Sequence, residues 1–470
     1  MKIIVLGNGF DLATNLPTSY KDFFKYSHNV HEDDFKVYTD FLENKNPTEH
    51  RAFRNNTMYS LGMKETKQYA SEEIKQLFED IVKRVEEEVS NALSVWDIFF
   101  LKNFENKKED VNWHFVEEKI KNEIVKKSDK RNNKRIFQFL RNCNPDKTEE
   151  IETETGVEGR RVVVPRFYKD YLGSKTDNAN PVHGNSYSNE DEKSYRDDVL
   201  YKLDKTEFFI FLLIKKRYAK KLMNFYQILL EELILFEKSF AAYIELLTKK
   251  TILRGSGQTT YRNNLLKLSD KSEDKYYLIN FNYTEFSSKR EKAKFEIKRS
   301  PRKIKVIQQN VHGVYYDKVI FGIDQSSIEA SSDEYMFTKT FRKMDYYENF
   351  ENIPLPNKED VSEIIFYGHS LAEADYSYFQ SIFDYYSIYD SDVTINFSYS
   401  VYGDTSDHWK IKQRKLQDSV KVVEKYSQTL ANKDRGKNLM HKLLLENRLK
   451  FKKIELEKVN VNSLKEYFEK

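Results

Sequence analysis

Cysteine is nearly absent: Cys143 is the only one in 470 residues, which excludes an intrachain disulfide and any zinc site built from several cysteines. Glycine and proline are scarce, at 14 and 8, while charged residues reach 33%. That balance suits long solvated helices better than a sandwich of short strands and tight turns. A charge surplus of either sign is also missing, since 78 Lys and Arg stand against 75 Asp and Glu and leave +3. No overall basic field therefore recruits nucleic acid or an anionic membrane, which argues against both as partners, although a local basic patch stays open. Long hydrophobic runs are missing too. No stretch approaches the roughly 20 apolar residues of a membrane span, and the first residues read as a strand rather than a signal segment. The expectation is a soluble cytoplasmic protein of two to four structural units.

What the sequence has in quantity is helix-period patterning between two regions of strand signal. Short apolar, β-branched runs that suit buried strands lie at Ile3–Leu6, Tyr276–Phe281, Ile304–Ile307, Val319–Phe321, Ile364–Tyr367 and Val393–Phe397. All but the first follow residue 270. Helix-period segments such as Glu72–Leu93, Trp113–Lys127 and Phe208–Leu247 fill the interval. They are interrupted at Asn132–Asn133 and over Thr148–Lys193, where polar residues and the run Asn178-Ala179-Asn180-Pro181 show no period. From about Asp404 amphipathic helix returns, with Leu439, Leu443, Leu444, Leu445 and Leu449 among Lys, Arg and Glu.

The expected fold is α/β, with a split Rossmann-like, mostly parallel sheet over residues 1–30 and 270–403. A mostly helical insertion over 31–269, irregular near 148–193, interrupts it, and a helical C-terminal extension over 404–470 follows. Ligands bind at the carboxyl ends of the strands in such sheets, and the insertion is expected to cover that edge.

Four strand ends carry residues suited to chemistry. Gly7-Asn8-Gly9-Phe10-Asp11 permits a sharp turn that brings backbone N–H groups near a ligand phosphate. With no third glycine at the fingerprint position, a merely tight strand-to-helix turn explains it equally. Leu16-Pro17-Thr18-Ser19-Tyr20 then offers Thr18 or Ser19 as a helix cap. Asn280-Phe281-Asn282-Tyr283-Thr284 ends a hydrophobic strand in hydrogen-bonding groups, with Asn282 facing the ligand edge or forming a turn. Asn310-Val311-His312-Gly313 places after a strand the one side chain whose unperturbed pKa lies near 6.5. Tyr367-Gly368-His369-Ser370-Leu371 precedes a helical period, the geometry for holding a ribose or phosphate, with His369 read as a ligand-edge or structural group. Asp375 reads as a first-turn acid explained by the helix macrodipole. The other seven histidines, His183 included, read as solvated or packing residues.

These stretches, with Ile320-Phe321-Gly322-Ile323-Asp324 and with Trp113 and Glu117 in the helical block, resemble the AbiH family of bacterial abortive-infection, phage-defence proteins. Their order also resembles a distant version of the sirtuin-type NAD-binding fold. That resemblance implies NAD or a related nucleotide as substrate or ligand, with Gly7, Gly9 and Phe10 on the pyrophosphate and nicotinamide side. It implies Asn282 as the residue orienting the attacking group at the nicotinamide ribose, His312 as general base, and Gly368 with Ser370 on the adenosine side. Asn8, Asp11, Tyr283, Thr284 and His369 fall in the same ligand-contacting stretches. Two positions depart from the sirtuin pattern: Thr284 stands where it has Asp, and Asp11 replaces a small residue. The lone Cys143 also removes the four-cysteine zinc module of sirtuin deacylases.

The function expected is phage defence through hydrolysis of the nicotinamide–ribose bond, which breaks through an oxocarbenium-like state and needs orientation and a dry pocket. A non-enzymatic nucleotide sensor or scaffold is the alternative. A metal-dependent nuclease on Glu117 and Glu118 ranks third, because no metal-ligand spacing rises above the charged background and no metal ligand is assigned. A phage-derived trigger and self-association are left open.

Overall fold

The structure is a computed structural model that describes every residue except 44–71, 105–112, 126–147, 152–161, 166–204, 219–220, 222, 254, 270–272, 287–293, 300–301, 326–327, 346–352, 372–374, 402–407 and 468–470. The sequence readings at Asn132–Asn133, Asn178–Pro181 and His183 lie outside the described residues. The chain divides into two compact units, one of Met1–Tyr26, Glu109–Lys121 and Glu237–Lys470, the other of Ser27–Lys108 and Asn122–Phe236.

Among the described residues the strands are β1 (Lys2–Leu6), β2 (Thr148–Ile151), β3 (Val162–Pro165), β4 (Lys275–Asn280), β5 (Lys294–Arg299), β6 (Arg302–Asn310), β7 (Glu363–Tyr367), β8 (Thr394–Tyr399) and β9 (Leu449–Lys453). Seven form one sheet in the order β5-β6-β4-β1-β7-β8-β9. Every pairing in it is parallel except that of β5 with β6. Numbered along the chain, the six parallel strands stand in the order 3-2-1-4-5-6. Growth of the sheet therefore reverses between β1 and β7, and a crevice between carboxyl ends is expected at such a switch point.

The central strand shows why the sequence reads as it does. Ile3 and Val5 join one apolar layer, while Ile4 and Leu6 join the other, because successive side chains of a strand point to opposite faces. Phe379 and Phe383 of helix Tyr376–Tyr385, Val422 and Val423 of helix His408–Ser427, and Leu439 and Leu443 of helix Lys433–Leu445 lie in the first layer. Tyr261 and Leu265 of helix Gly257–Lys267 lie in the second. A sheet covered on both faces needs continuous apolar strands rather than alternating ones. Each large apolar side chain so buried contributes about 1.5–3 kcal/mol.

Several expectations are corrected. The tail read as helical over 404–470 leaves helix at Leu445, Asn447 takes a left-handed φ of 55°, and β9 then pairs with β8. An αL residue just past a helix is a common stop. Val319 makes only an isolated bridge with Gly313, and the hairpin strand β5, unread in its charged stretch, flanks β6 instead. Phe208–Leu247 is two helices, Lys205–Tyr218 and Phe225–Leu247. A reciprocal cap opens the second: Asn224 N–H donates to Gln227 Oε1 and Gln227 N–H to Asn224 Oδ1, each at 2.9 Å. The segment read as irregular contains the antiparallel pair β2–β3, where Val162, Val163 and Val164 supply the β-branched run.

In the second unit, Trp96 is buried against Phe99 and Phe100 and donates its indole N–H to Leu229 O at 3.1 Å. Glu232 pairs with Arg217 at 2.6 Å and accepts the Val95 N–H at 2.8 Å. Among the described residues no helix is long and apolar enough to cross a membrane.

Candidate active site

The parallel register puts four strand ends at one edge of the sheet: Leu6 pairs with Asn280 and Tyr367, and Asn280 with Asn310. The residues that follow are Gly7–Asp11, Phe281–Thr284, Val311–His312 and Gly368–Ser370. Two different arrangements result.

At β1 and β7 the two turns pack backbone against backbone. Gly7 N–H donates to Tyr367 O at 2.9 Å, Gly9 N–H to Gly368 O at 2.7 Å, and Phe10 N–H to Gly7 O at 3.0 Å. A Cβ on Gly9 would stand 2.7 Å from Gly368 O, and one on Gly368, whose φ is 70°, would stand 2.4 Å from Phe10 N. Close approach of the two turns therefore accounts for both glycines. Phe10 belongs to the core, with Tyr261, Phe286 and Tyr367 rings at 5.1, 5.4 and 6.0 Å. Asn8 ties down the next loop, donating to Thr18 O at 3.1 Å and accepting from Thr18 Oγ1 at 2.7 Å. Ser19 is the residue that caps helix Tyr20–Val30, receiving the Asp22 N–H at 3.2 Å. Asp11 accepts from Tyr261 Oη at 2.5 Å and from Thr284 Oγ1 at 2.7 Å. Burial pushes its carboxyl up to about 7 despite those two donors.

Beyond β4, β6 and β7 the arrangement is ionic. Asp375 Oδ1 receives Lys339 Nζ at 2.7 Å and His312 Nε2 at 3.1 Å, while Oδ2 faces His369 Nε2 at 3.2 Å. Lys339 Nζ also holds Glu117 Oε1 at 2.8 Å. Burial works to raise the Asp375 carboxyl, but Lys339 and the two imidazoles outweigh it and hold it well below the usual carboxylate range. Asp375 makes no helix-cap hydrogen bond, so the macrodipole reading gives way to this ionic role. Glu117 is driven the other way, up to about 7, by burial and by Asp375 against the pull of Lys339. The Lys339 ammonium, which burial alone would lower, is held above its ordinary range by the two acids.

Proton positions follow from these partners. An ionised Asp375 only accepts, so each imidazole presents an N–H from Nε2. His369 Nδ1 accepts the Leu371 N–H at 2.9 Å, with Leu371 at the left-handed φ of 57°, and its ring is thereby fixed. His312 is pushed down to about 4 by burial and by Lys339. At neutral pH it is an uncharged imidazole whose Nδ1 lone pair makes none of the described hydrogen bonds. Phe281 separates the two imidazoles, edge-on at 5.4 Å to His312 and 4.7 Å to His369.

Asn282 lies two residues beyond Asn280, as His312 lies two beyond its partner Asn310. Asn280 Oδ1 receives the Asn282 N–H at 3.1 Å and fixes that turn. Asn282 is 2% exposed, and among the described residues neither its Oδ1 nor its Nδ2 has a hydrogen-bond partner. An unsatisfied buried amide costs about 1–3 kcal/mol, and such groups are uncommon in native proteins. Tyr283 is a wall residue, donating to Ile320 O at 3.0 Å and packing on Phe321. Ser370 is exposed and Gly368 half-buried.

Sequence reading missed Lys339, Arg342 and the central place of Asp375. Lys339 and Arg342 sit three apart on helix Lys339–Asp345, a spacing that shares one helix face. Arg342 forks onto Glu237, with Nη2 to Oε2 at 2.7 Å, and donates to Phe321 O at 2.8 Å. Two buried cations thus clamp that short helix. Trp113 begins helix Trp113–Ile124, which carries Glu117 to Lys339. Among the described residues no group of three His, Cys, Asp or Glu side chains could hold a metal ion.

No curated protein matches the chain, and no solved structure does. A family model described as Bacteriophage abortive infection AbiH matches residues 3–194. That span contains the Gly7–Asp11 turn, Thr18 and Glu117, and it stops short of Asn282, His312, Lys339 and Asp375. Over that part, the chain is similar to the AbiH abortive-infection proteins.

Proposed function

We propose that this is a phage-defence protein whose sheet edge hydrolyses the N-glycosidic bond of NAD or a related nucleotide. The similarity over residues 3–194 supports the defence role. The strand order, that of Rossmann-like dinucleotide-binding sheets and compatible with a sirtuin-like core, supports a nucleotide ligand at the switch point. The observation that carries the chemistry is the buried amide of Asn282, without a hydrogen-bond partner among the described residues, just past the strand beside the one that leads to the neutral His312 held by Asp375.

In this reading Asn282 orients the ribose and the attacking water. His312 Nδ1 accepts the water proton as the oxygen bonds to the anomeric carbon. The C–N bond breaks with its electron pair passing to the cationic nicotinamide ring, which leaves neutral and needs no acid. Asp375 stabilises the imidazolium that forms, and His369 and Lys339 keep Asp375 in place. Because His312 lies near 4, the acid limb of the rate profile is expected near pH 4 rather than 6.5.

The test is nicotinamide release by the purified protein, with and without phage lysate, beside mass spectrometry of nucleotide pools in expressing cells. His312→Ala and Asn282→Ala are expected to slow turnover about 10²- to 10⁴-fold. Nucleotide pools left intact by the wild type under all these conditions would sink the proposal. A second reading, a nucleotide sensor without turnover, is favoured by Thr284, which stands where the sirtuin pattern has an acid and donates to Asp11. Binding by calorimetry without turnover, and full defence by His312→Ala, would select it.

A further inference from the structure

The outer corner of the sheet carries charge that the near-neutral composition hides. Lys294, Glu296 and Lys298 of β5 alternate with buried Phe295 and Ile297, and Lys303 and Lys305 of β6 alternate with buried Ile304 and Val306. Those charged residues are exposed, as is Lys275 at the start of β4. The register sets Lys298 opposite Lys303, and Lys305 between Lys275 on one side and Glu296 on the other. Like charges directly opposite one another destabilise a sheet. A cavity of about 870 Å³ opens at this corner, lined among others by Arg262, Lys275, Lys294, Lys298 and Lys305, with Glu296 its one acidic lining residue. That lining surplus of four positive charges exceeds the +3 of the whole chain. Nearby Glu273 faces the N-terminal ammonium at 3.4 Å. Arg262 is fixed by its Nε–H bond to Phe286 O at 2.8 Å and by the Phe295 ring beneath it at 4.9 Å.

We propose that this corner binds the phosphate backbone of double-stranded nucleic acid without reading its sequence. Lysines on an edge strand can serve only to prevent strand addition. That explains Lys294 and Lys298, but β6 and β4 are interior strands, and Lys303, Lys305 and Lys275 protect no edge. Lys294 and Lys298 lie about 13 Å apart along an extended strand, a length of duplex axis over which one strand presents about four phosphates. Lysine acts as a point charge rather than a bidentate reader of base edges. Phe295, the one aromatic lining residue, is buried and stacked on Phe286. It offers no platform for the unpaired bases that single-strand binders stack. Lys275 stands at the amino end of β4, about 17 Å along the strand from Asn280, so this surface is separate from the candidate active site and does not rest on the hydrolysis reading.

Fluorescence anisotropy of the full chain with labelled duplexes of unrelated sequence, at about 50 and 200 mM salt, tests it. Expected are similar affinities for every duplex and a steep loss with salt. The double variant Lys294→Glu/Lys298→Glu is expected to bind at least about tenfold more weakly and to flatten the log–log salt slope by about 2, since each phosphate contact contributes about one. Its melting temperature should not fall below that of the wild type, because both side chains are exposed and Lys298→Glu relieves the like-charge pair with Lys303. Absence of binding at the lower salt, an unchanged slope in the variant, or tighter binding to single strands, acidic peptides or anionic vesicles than to duplex would each overturn the proposal.

Discussion

Asp11 and Asp375 are both buried in the same unit, both just beyond strands of one sheet, and they differ in their company. Asp11 is met by two neutral hydroxyls, from Tyr261 and Thr284, and burial lifts its pKa to about 7. Asp375 is met by an ammonium and two imidazoles and stays ionised far below the ordinary range. Desolvation acts on both, so the difference lies in whether a charged partner offsets it. The first carboxyl ties a turn to the core, and the second organises groups able to move a proton. A carboxyl just as buried is therefore kept charged here only where cations accompany it.

The most severe way to break that contrast is to remove the cation. Lys339→Met leaves Glu117 and Asp375 buried without the ammonium between them. It is expected to lower the unfolding free energy by about 3–5 kcal/mol near pH 7, the usual penalty for orphaning a buried ion partner. Urea unfolding measures this, and a loss under about 1 kcal/mol would deny Lys339 its role. Because Lys339 also depresses His312, the imidazole pKa read by NMR should rise in any variant that still folds.

A smaller effect separates the two acids by pH. The folded pKa of Asp11, about 7, lies above its ordinary 3.8. Between those values the folded chain keeps a proton that the unfolded chain has released, so this group's contribution to stability falls as pH rises, then levels off above about 7. Glu117 acts in the same sense. Asp375 and His312, both depressed, act in the opposite one: stability from Asp375 is present above its ordinary value and lost as pH falls below it, and stability from His312 grows between about 4 and 6.5. The informative quantity is thus the difference between variant and wild type. Asp11→Asn should gain about 1–3 kcal/mol on the wild type between about pH 5 and pH 8. Parallel stability curves over that range would show that Asp11 is already ionised.

What could be read from the sequence, and what could not, follows from the same physics. The strands Ile3–Leu6 and Ile364–Tyr367 were legible because a sheet covered on both faces demands uninterrupted apolar runs. β9 was not, since Leu449-Lys450-Phe451-Lys452-Lys453 is a short edge strand whose lysines resemble the helix before it. Asn282 and His312 stood out as polar groups just past buried strands. Lys339 and Arg342 did not, because in a chain with 33% charged residues nothing local distinguishes a buried cation from a solvated one. Asp11 and Thr284 each looked like a departure when read alone. They are 273 residues apart in the chain and hydrogen-bonded to each other, so each accounts for the other once the fold brings them together.

The mildest test concerns that pair. Thr284→Val keeps the shape of the side chain and removes one of the two hydroxyls that donate to Asp11. At pH 5, where Asp11 is protonated, the loss should be about 1 kcal/mol, the net worth of a neutral hydrogen bond. Above pH 7 the same change withdraws a donor from a buried carboxylate, and the loss should grow to about 2–3 kcal/mol. Thermal melts at the two pH values measure the difference. Under the proposed hydrolysis, turnover should hardly change, because the imidazole–carboxylate pair of His312 and Asp375 does not include Thr284. A variant that loses turnover while its stability keeps the wild-type pH dependence would move Thr284 out of the structural tie and into the reacting site, and the contrast between the two carboxylates would have to be redrawn around it.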